Sequence, residues 1–395
     1  QCAGMAQRNQ RLQPYEKIDR SVARRYEVEK RIGRGCYGVV FEVKESGLVS
    51  GPGFALKKVL YAFRTSEDAQ RTYREISYLL EFGNHDNILQ VHDVLCSADD
   101  RHMYIVSNLM DTDLQKALRC QALQPVHRPL IAYQVMRALK YIHSAGVMHR
   151  DVKPSNVLLD TTGHAELCDF GWARSSPAST MDDMMMTEYA ATRWYRAPEM
   201  LLGARKYTTA VDAWALGCLV GEMHSEKPLV QGTSTIDMLE RVIEMFGKPL
   251  STDIAAMEAQ YGTFWFEPLP PSISHKPLNT VFTRDEDVDL IDFIEIVMQY
   301  NPDKRVTPAD ALKHPYVASF HNPDGEPEFG RRLTLTLNDK ERLASSRYRD
   351  QIYADVIGLD VAKRRVAEQR MYQLDLENGL VAPRTPMRRD STELM

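Results

Sequence analysis

The chain has no C-x-x-C pair and no dense cysteine framework. Its six cysteines, Cys2, Cys36, Cys96, Cys120, Cys168 and Cys218, are widely scattered. That spacing argues against a disulfide-stapled scaffold and against a cysteine zinc site, and it reads as reduced thiols of the cytoplasm or nucleus. Charge of one sign is also missing. With 49 Lys and Arg against 54 Asp and Glu, the net charge is only -5, so no global field points to nucleic acid or an anionic membrane, and any partner is recognised locally. Long apolar runs are absent as well: the longest, near 211–223, is interrupted by Asp212 and Glu222 and is too short to cross a bilayer, so a buried helix is expected. The first residues hold no apolar signal core, and secretion is not expected. No internal repeat or long low-complexity segment occurs. What is present is 395 residues with 44% hydrophobic content, enough for a sizeable core in one large domain or two lobes with extensions.

Residues 26–32 and 38–43 read as a hairpin, and 54–59 as a third strand after a Ser/Gly/Pro-rich turn at 46–53. From Ser66 the spacing becomes helical, with Ala69, Tyr73, Ile76 and Leu80 on one face. Beyond Met110 helices dominate, at 130–144, 209–224, 236–246 and 288–300. Thr307-Pro308-Ala309-Asp310 opens another, with a capping hydroxyl, a proline in the first turn and an acid three residues on. The fold class expected is α+β: a small β-rich lobe with one main helix, then a larger, mostly helical lobe.

Gly33-Arg-Gly35-Cys-Tyr-Gly38-Val-Val40 is a G-x-G-x-x-G-x-V pattern between two strands, where glycines let backbone N–H groups approach phosphates. Alone it also fits a glycine-rich hairpin without a ligand. Lys57 lies on the next strand, with Lys58 sent to the opposite face by strand alternation. Glu75 sits on the following helix, placed to pair with Lys57. His149-Arg-Asp151-Val-Lys153-Pro-Ser-Asn156 puts an acid to accept a hydroxyl proton, a lysine for the transferring phosphate and a metal-ligating amide oxygen on one loop. Asp169-Phe170-Gly171 adds a carboxylate for magnesium.

In this order, and closed by Ala197-Pro198-Glu199, these motifs resemble the protein kinases over about residues 26–320. The resemblance implies a bilobal kinase fold: an extension at 1–25, a small lobe and hinge at 26–110, and a large lobe at 111–320. The large lobe would contain an activation segment at 169–199 and an insert at 232–270. An extension at 321–377 would follow, and 378–395, which has no sustained apolar period, is expected to be a disordered tail. It implies catalytic roles for Asp151, Lys153, Lys57, Glu75 and Thr192, with Asn156 and Asp169 holding Mg2+. ATP would lie against Ile32, Gly33, Gly35, Gly38, Val40, Ala55, Lys57, Ser107, Asn108, Leu109, Met110, Asp113 and Leu158. Lys153, two residues after Asp151, is similar to the serine/threonine kinases. Glu199 is expected to pair with Arg305 as a buried structural bridge.

Thr187-Glu188-Tyr189, with Ala191-Thr-Arg-Trp-Tyr-Arg-Ala-Pro-Glu199 behind it, resembles the mitogen-activated protein kinases of the extracellular signal-regulated subgroup, and the insert agrees. A cyclin-dependent kinase shares the last six of these residues but should lack Thr-x-Tyr and the insert; a catalytically dead scaffold should lack a key group. The resemblance implies a proline-directed kinase switched by phosphorylation of Thr187 and Tyr189. Phosphothreonine would gather Arg74, Arg150 and Arg174, and phosphotyrosine would meet Arg193 and Arg196. Implied partners are an upstream dual-specificity kinase, phosphatases and Ser/Thr-Pro substrates, with no nucleic acid and no membrane span. Three departures stand out. Asn322 and Gly325 replace carboxylates in the docking patch near Asp324 and Glu326, so docking of basic peptides should be weak. The hinge carries a small Ser107, leaving room behind the adenine, and then Asn108 where Asp is more usual; Asn108 is expected to matter little, because hinge bonds to adenine come from backbone. Cys168 reads as a small buried residue. In the tail, Pro383-Arg-Thr385-Pro386 has the form such kinases modify.

Overall fold

The computed structural model describes residues 13, 16–35, 38–47, 53–176, 178–179, 193–204, 206–269, 277–283, 288–338 and 341–356. A short helix, α1 (Arg20–Ala23), leads into a five-stranded antiparallel sheet of spatial order β1-β2-β3-β5-β4, made by β1 (Tyr26–Gly35), β2 (Gly38–Glu45), β3 (Phe54–Val59), β4 (Val91–Cys96) and β5 (Met103–Asn108). Pairing continues through the glycine motif, with Gly33 opposite Val40 and Gly35 opposite Gly38, so β1 runs three residues past the expected end at Ile32.

Strand alternation sorts the two faces of the sheet. Val39, Phe41, Val43 and Leu56 are buried with Tyr104 and Val106 in an outer core covered by Val22 of α1. Lys58 shares that face: its ammonium lies over the Tyr104 ring and donates to the Lys17 carbonyl at 2.6 Å. The opposite face carries Lys57 and looks toward α2 (Ser66–Phe82). Thr65 caps α2 by accepting from the Asp68 amide, and the Thr65 hydroxyl donates to the Asp68 carboxylate, a local arrangement worth about 1 kcal/mol. Ala69, Tyr73 and Ile76 are buried as the spacing predicts, but Leu80 is only half-buried. Leu79 and Phe82 take the inner positions instead, because the buried face widens where it meets the second lobe.

The helical lobe is built around two anchors. One is α4 (His127–Ser144), reached through β6 (Thr112–Asp113) and α3 (Leu114–Arg119). It begins three residues before the expected start, since Pro129 in the first turn loses no helical hydrogen bond. The other is the helix Ala210–Ser225, in which every residue from 211 to 223 is buried. A helix apolar all round belongs at the centre of a lobe. The helices Thr235–Phe246 and Val288–Val297 flank it; the latter stops three residues short of the expected end. The Thr307 cap is present, but the helix it opens, Pro308–Ala311, is a single turn.

Glu199 and Arg305 form a fully buried bidentate pair, at 2.6 and 2.7 Å, with the guanidinium against Trp214. Beyond residue 321 the chain returns along both lobes. The Leu333 amide bonds the Ala145 carbonyl, the Leu337 amide bonds the Tyr73 hydroxyl, and Arg342 pairs with Glu67. Tyr348 and Ile352 are buried, with Tyr348 against Tyr73 of α2. No described helix is long and apolar enough to cross a membrane.

Candidate active site

The cleft between the lobes collects the charged residues the sequence singles out. Lys57 on β3 and Glu75 on α2 form an ion pair. Burial alone would lower the Lys57 pKa, but the carboxylates of Glu75 and Asp169 outweigh it and raise it, so the ammonium stays charged.

The Asp151 loop follows β7 (Val147–Met148) and hangs from one buried side chain. Asp212, in the central helix, accepts from the backbone amides of His149 and Arg150, each at 2.8 Å, and from the His143 ring at 2.8 Å. Burial opposes its ionisation, yet these bonds hold its pKa below the ordinary value. They also hold Arg150 at φ 68°, a left-handed turn that aims the loop into the cleft. Within the loop, Lys153 donates to the Asp151 carboxylate at 2.7 Å, and the Asn156 amide nitrogen donates to the Asp151 carbonyl and carboxylate at 2.8 and 2.9 Å.

A hairpin of β8 (Val157–Leu159) and β9 (Ala165–Leu167) then carries the chain back. The Cys168 amide bonds the Asn156 carbonyl at 2.9 Å, which sets Asp169 beside Asn156. Asp169 is itself left-handed, with φ 63°. Burial would raise its pKa, but Lys57, Arg71 and Lys153 hold it well below the usual carboxylate range. Asp151 behaves oppositely: burial keeps its pKa above the ordinary value despite Lys153. Two carboxylates whose environments push them apart suit different tasks, one to take a proton and the other to stay ionised beside a cation. Cys168, expected to be buried, is only half-buried as a residue, and its thiol pKa is pushed far upward by desolvation and by Asp169.

The residues present fit a magnesium nucleotide. Both Asn156 amide-nitrogen bonds go to Asp151, which leaves the amide oxygen to ligate a hard cation alongside Asp169. Among the described residues no group of three or more His, Cys, Asp or Glu is set to hold a metal, and magnesium that arrives with phosphates needs only one or two protein ligands. A Cβ on Gly38 would collide with the Lys58 carbonyl oxygen, so that glycine serves the sheet, whereas Gly35 faces open space and Gly33 meets only Val40 at 3.6 Å. Those two leave room for another group beside the backbone. Ile32, Val40, Ala55 and Leu158 are half-buried while their strand neighbours Val39, Phe41, Leu56 and Leu159 are buried, as expected of an apolar slot for a flat base. Asp113 is occupied otherwise: it caps α3 by accepting from the Lys116 amide at 2.8 Å and pairs with the Lys116 ammonium at 3.0 Å.

Two positions in the cleft were not read from the sequence, and a third was read for its backbone alone. Asp212 appeared only as an interruption of an apolar run, although an acid in such a run must find partners when buried. Arg71, one helical turn before Glu75, pairs with Asp169 at 3.6 Å and packs on Trp172. The Asn108 side chain, expected to matter little, bridges His92 and Glu166. Of the arginines expected to gather a phosphate, Arg150 donates to the Trp172 carbonyl at 3.4 Å and Arg174 to the Ala173 carbonyl at 2.8 Å, while Arg74 is buried in α2. Arg193 opens the turn Arg193–Tyr195 and Arg196 follows it. Thr187, Tyr189, Thr192 and Thr385 lie outside the described residues.

Comparison with known proteins gives a consistent result. A family model described as a protein kinase domain matches residues 26–317. The chain is 42% identical over 345 residues to the extracellular signal-regulated kinase 2 of Dictyostelium discoideum, covering 87% of this chain and 92% of that one. It is 39% identical over 374 residues to the mitogen-activated protein kinase 15 of Rattus norvegicus, covering 94% of this chain and 66% of the rat protein. A mitogen-activated protein kinase of Fusarium vanettenii is 38% identical over 314 residues, 79% of this chain and 87% of that one. The chain thus spans nearly all of the amoebal kinase but under two thirds of the kinase-15 protein of Xenopus laevis, of which it covers 59%.

Proposed function

Because the chain belongs to the mitogen-activated protein kinases, and so is an ATP-dependent serine/threonine kinase using magnesium, we propose that it is proline-directed and is switched on by phosphates on Thr187 and Tyr189. The observation that carries the reading is the convergence, in one cleft, of the Lys57–Glu75 pair, the Asp151–Lys153–Asn156 loop and Asp169. Lys57 binds the α- and β-phosphates, oriented by Glu75. Asn156 and Asp169 would hold magnesium, which would neutralise charge on the phosphates. Asp151 accepts the proton of the acceptor hydroxyl, and Lys153 steadies the group in flight. Nearly all of this is positioning and charge stabilisation.

For the switch, Arg150 and Arg174 attach to consecutive carbonyls just after Asp169, and Arg74 belongs to the helix that carries Glu75. A phosphate on Thr187 that met all three would link the small lobe, the Asp151 loop and the segment after Asp169. Partners in this reading are an upstream dual-specificity kinase, phosphatases and Ser/Thr-Pro proteins. Docking of basic peptides is weak: the Glu326 carboxylate is turned inward, accepting from His321 at 2.8 Å and the Asn322 amide at 3.1 Å, which leaves Asp324 exposed. Phosphate transfer to paired Ser-Pro and Ser-Ala peptides, by wild type and by Thr187→Ala/Tyr189→Phe after treatment with an activating kinase, tests both parts. Ser-Pro should be preferred at least about tenfold, as for a specificity of about 1.4 kcal/mol, and the double variant should be nearly inert. Equal use of both peptides removes the proline-directed assignment. Full stimulated activity in the double variant removes the switch.

A further inference from the structure

At the end of β5, Asn108 is held from three sides. Its backbone amide donates to the Gln90 carbonyl at 3.2 Å. Its side-chain oxygen lies 2.6 Å from His92 Nε2, and its side-chain nitrogen donates to Glu166 Oε1 at 2.8 Å. His92 stands at an irregularity in the β4–β5 ladder, between Val91 and Asp93, the kind of bulge that re-aims a side chain. Glu166 lies on β9, three residues before Asp169, and is 4% exposed. Its other oxygen, Oε2, is buried with no hydrogen-bond partner among the described residues.

This chain of contacts crosses from the small lobe to the strand that delivers Asp169. We propose that Asn108 is a positioning residue for the nucleotide: its side chain is a strut that fixes the adenine-facing backbone of the hinge against β9 and so aligns it with Asp169. The inference rests on the assignment of this cleft to ATP.

The choice of an amide follows from its neighbours. Because the Asn108 nitrogen donates to Glu166, its oxygen must face His92, which therefore donates from Nε2 whether the ring is neutral or protonated. Burial raises the Glu166 pKa against the opposing pull of the Asn108 bond and His164, with Asp160 adding to the rise. A proton on Glu166 would go to the unpartnered Oε2 and leave Oε1 still accepting. The contact therefore persists whether or not Glu166 is protonated. The other titratable groups beside Glu166 are His164, 3.6 Å away, and Asp160, which is taken up by Thr162 and the His164 amide. An aspartate at 108 would behave differently. Facing a second carboxylate at hydrogen-bond distance, it holds only while the pair shares one proton, and the contact breaks as pH rises and both ionise.

The test measures KM and kcat, and the dissociation constant of Mg-ATP, from about pH 6 to about pH 8. It compares wild type, Asn108→Leu, Asn108→Asp and the reciprocal pair Asn108→Asp/Glu166→Gln. Wild type should give flat affinity. Asn108→Leu should raise KM and the dissociation constant about tenfold at every pH, the effect of one charge-assisted bond, with kcat within about threefold. Asn108→Asp should match wild type at the acid end and weaken about tenfold at the basic end. The reciprocal pair, in which the amide introduced on β9 donates to the new carboxylate of the hinge, should restore flat affinity. Were Asn108→Leu not to fold, the Asn108→Asp titration reads the same contact against its own acid form. Unchanged affinity in Asn108→Leu, an Asn108→Asp profile parallel to wild type, or a reciprocal pair no better than Asn108→Asp would overturn the strut alone. A wild type that binds no Mg-ATP would overturn the assignment of the cleft and the strut with it.

Discussion

At the scale of single residues, the cleft works because neighbouring carboxylates titrate differently. Asp151, raised by burial, must be ionised to accept a proton, so activity should increase as pH rises through a pKa above the ordinary carboxylate value. Asp169 is held far lower and stays ionised throughout that range. A pH profile of kcat/KM whose acid limb lies above about pH 4 is the expected outcome; a limb at or below the ordinary carboxylate value would contradict the assignment. Ser107 gives a second residue-scale prediction. It is 6% exposed, pairs with Ala55 across the sheet and carries only a hydroxymethyl side chain, too small to block a bulky group placed behind the base. ATP-competitive purines with a bulky substituent should inhibit wild type and lose at least about tenfold in affinity against Ser107→Met. Equal inhibition of the two would remove the vacant-pocket reading. Lys57, Glu75, Asp151, Asn156 and Asp169 were legible in the sequence because each belongs to a short motif. Asp212, Arg71 and the partners of Asn108 were not, because their roles come from contacts between segments far apart in the chain.

At the scale of elements, local chemistry determined what the sequence could reveal. β3 falls where alternation and the flanking turn put it, and Lys57 and Lys58 separate to opposite faces. The helix Pro308–Ala311 has its cap but only one turn, because a cap signals where a helix starts and not how long packing sustains it. The return of the chain from 321 onto α2 was invisible beforehand. Leu337, Arg342 and Tyr348 have no periodicity that names Tyr73 and Glu67 as their partners. The Glu199–Arg305 bridge was expected and has a measurable consequence. Arg305 also donates to the carbonyls of Gln299, Tyr300 and Ala210, so it ties the segment ending at Glu199 to two others. Arg305→Met leaves a buried carboxylate unpaired and should cost about 3–5 kcal/mol in urea unfolding. Glu199→Leu/Arg305→Met should cost less than Arg305→Met alone. A single variant as stable as wild type would show that the bridge is not what holds this segment.

At the scale of the whole molecule, the two lobes are joined by contacts that all bear on one cleft: the hinge, Asn108 with Glu166, Arg71 with Asp169, and the returning chain against α2. In the proposed reading the small lobe supplies groups for a nucleotide and the large lobe supplies Asp151, Asn156 and Asp169, with the Asp151 loop anchored by the buried Asp212. Neither lobe alone carries the set. This division was legible in outline, since strands precede helices along the chain and the motifs fall on either side of the hinge. The measurement that bears most directly on the account is single-turnover transfer of the ATP γ-phosphate to a Ser-Pro peptide by the activated protein and by its Asp151→Asn form, each shown to be folded and to bind Mg-ATP. The account predicts transfer by the first and a loss of at least about a hundredfold in the second, with nucleotide affinity within about threefold. Undiminished transfer by folded Asp151→Asn protein would contradict it.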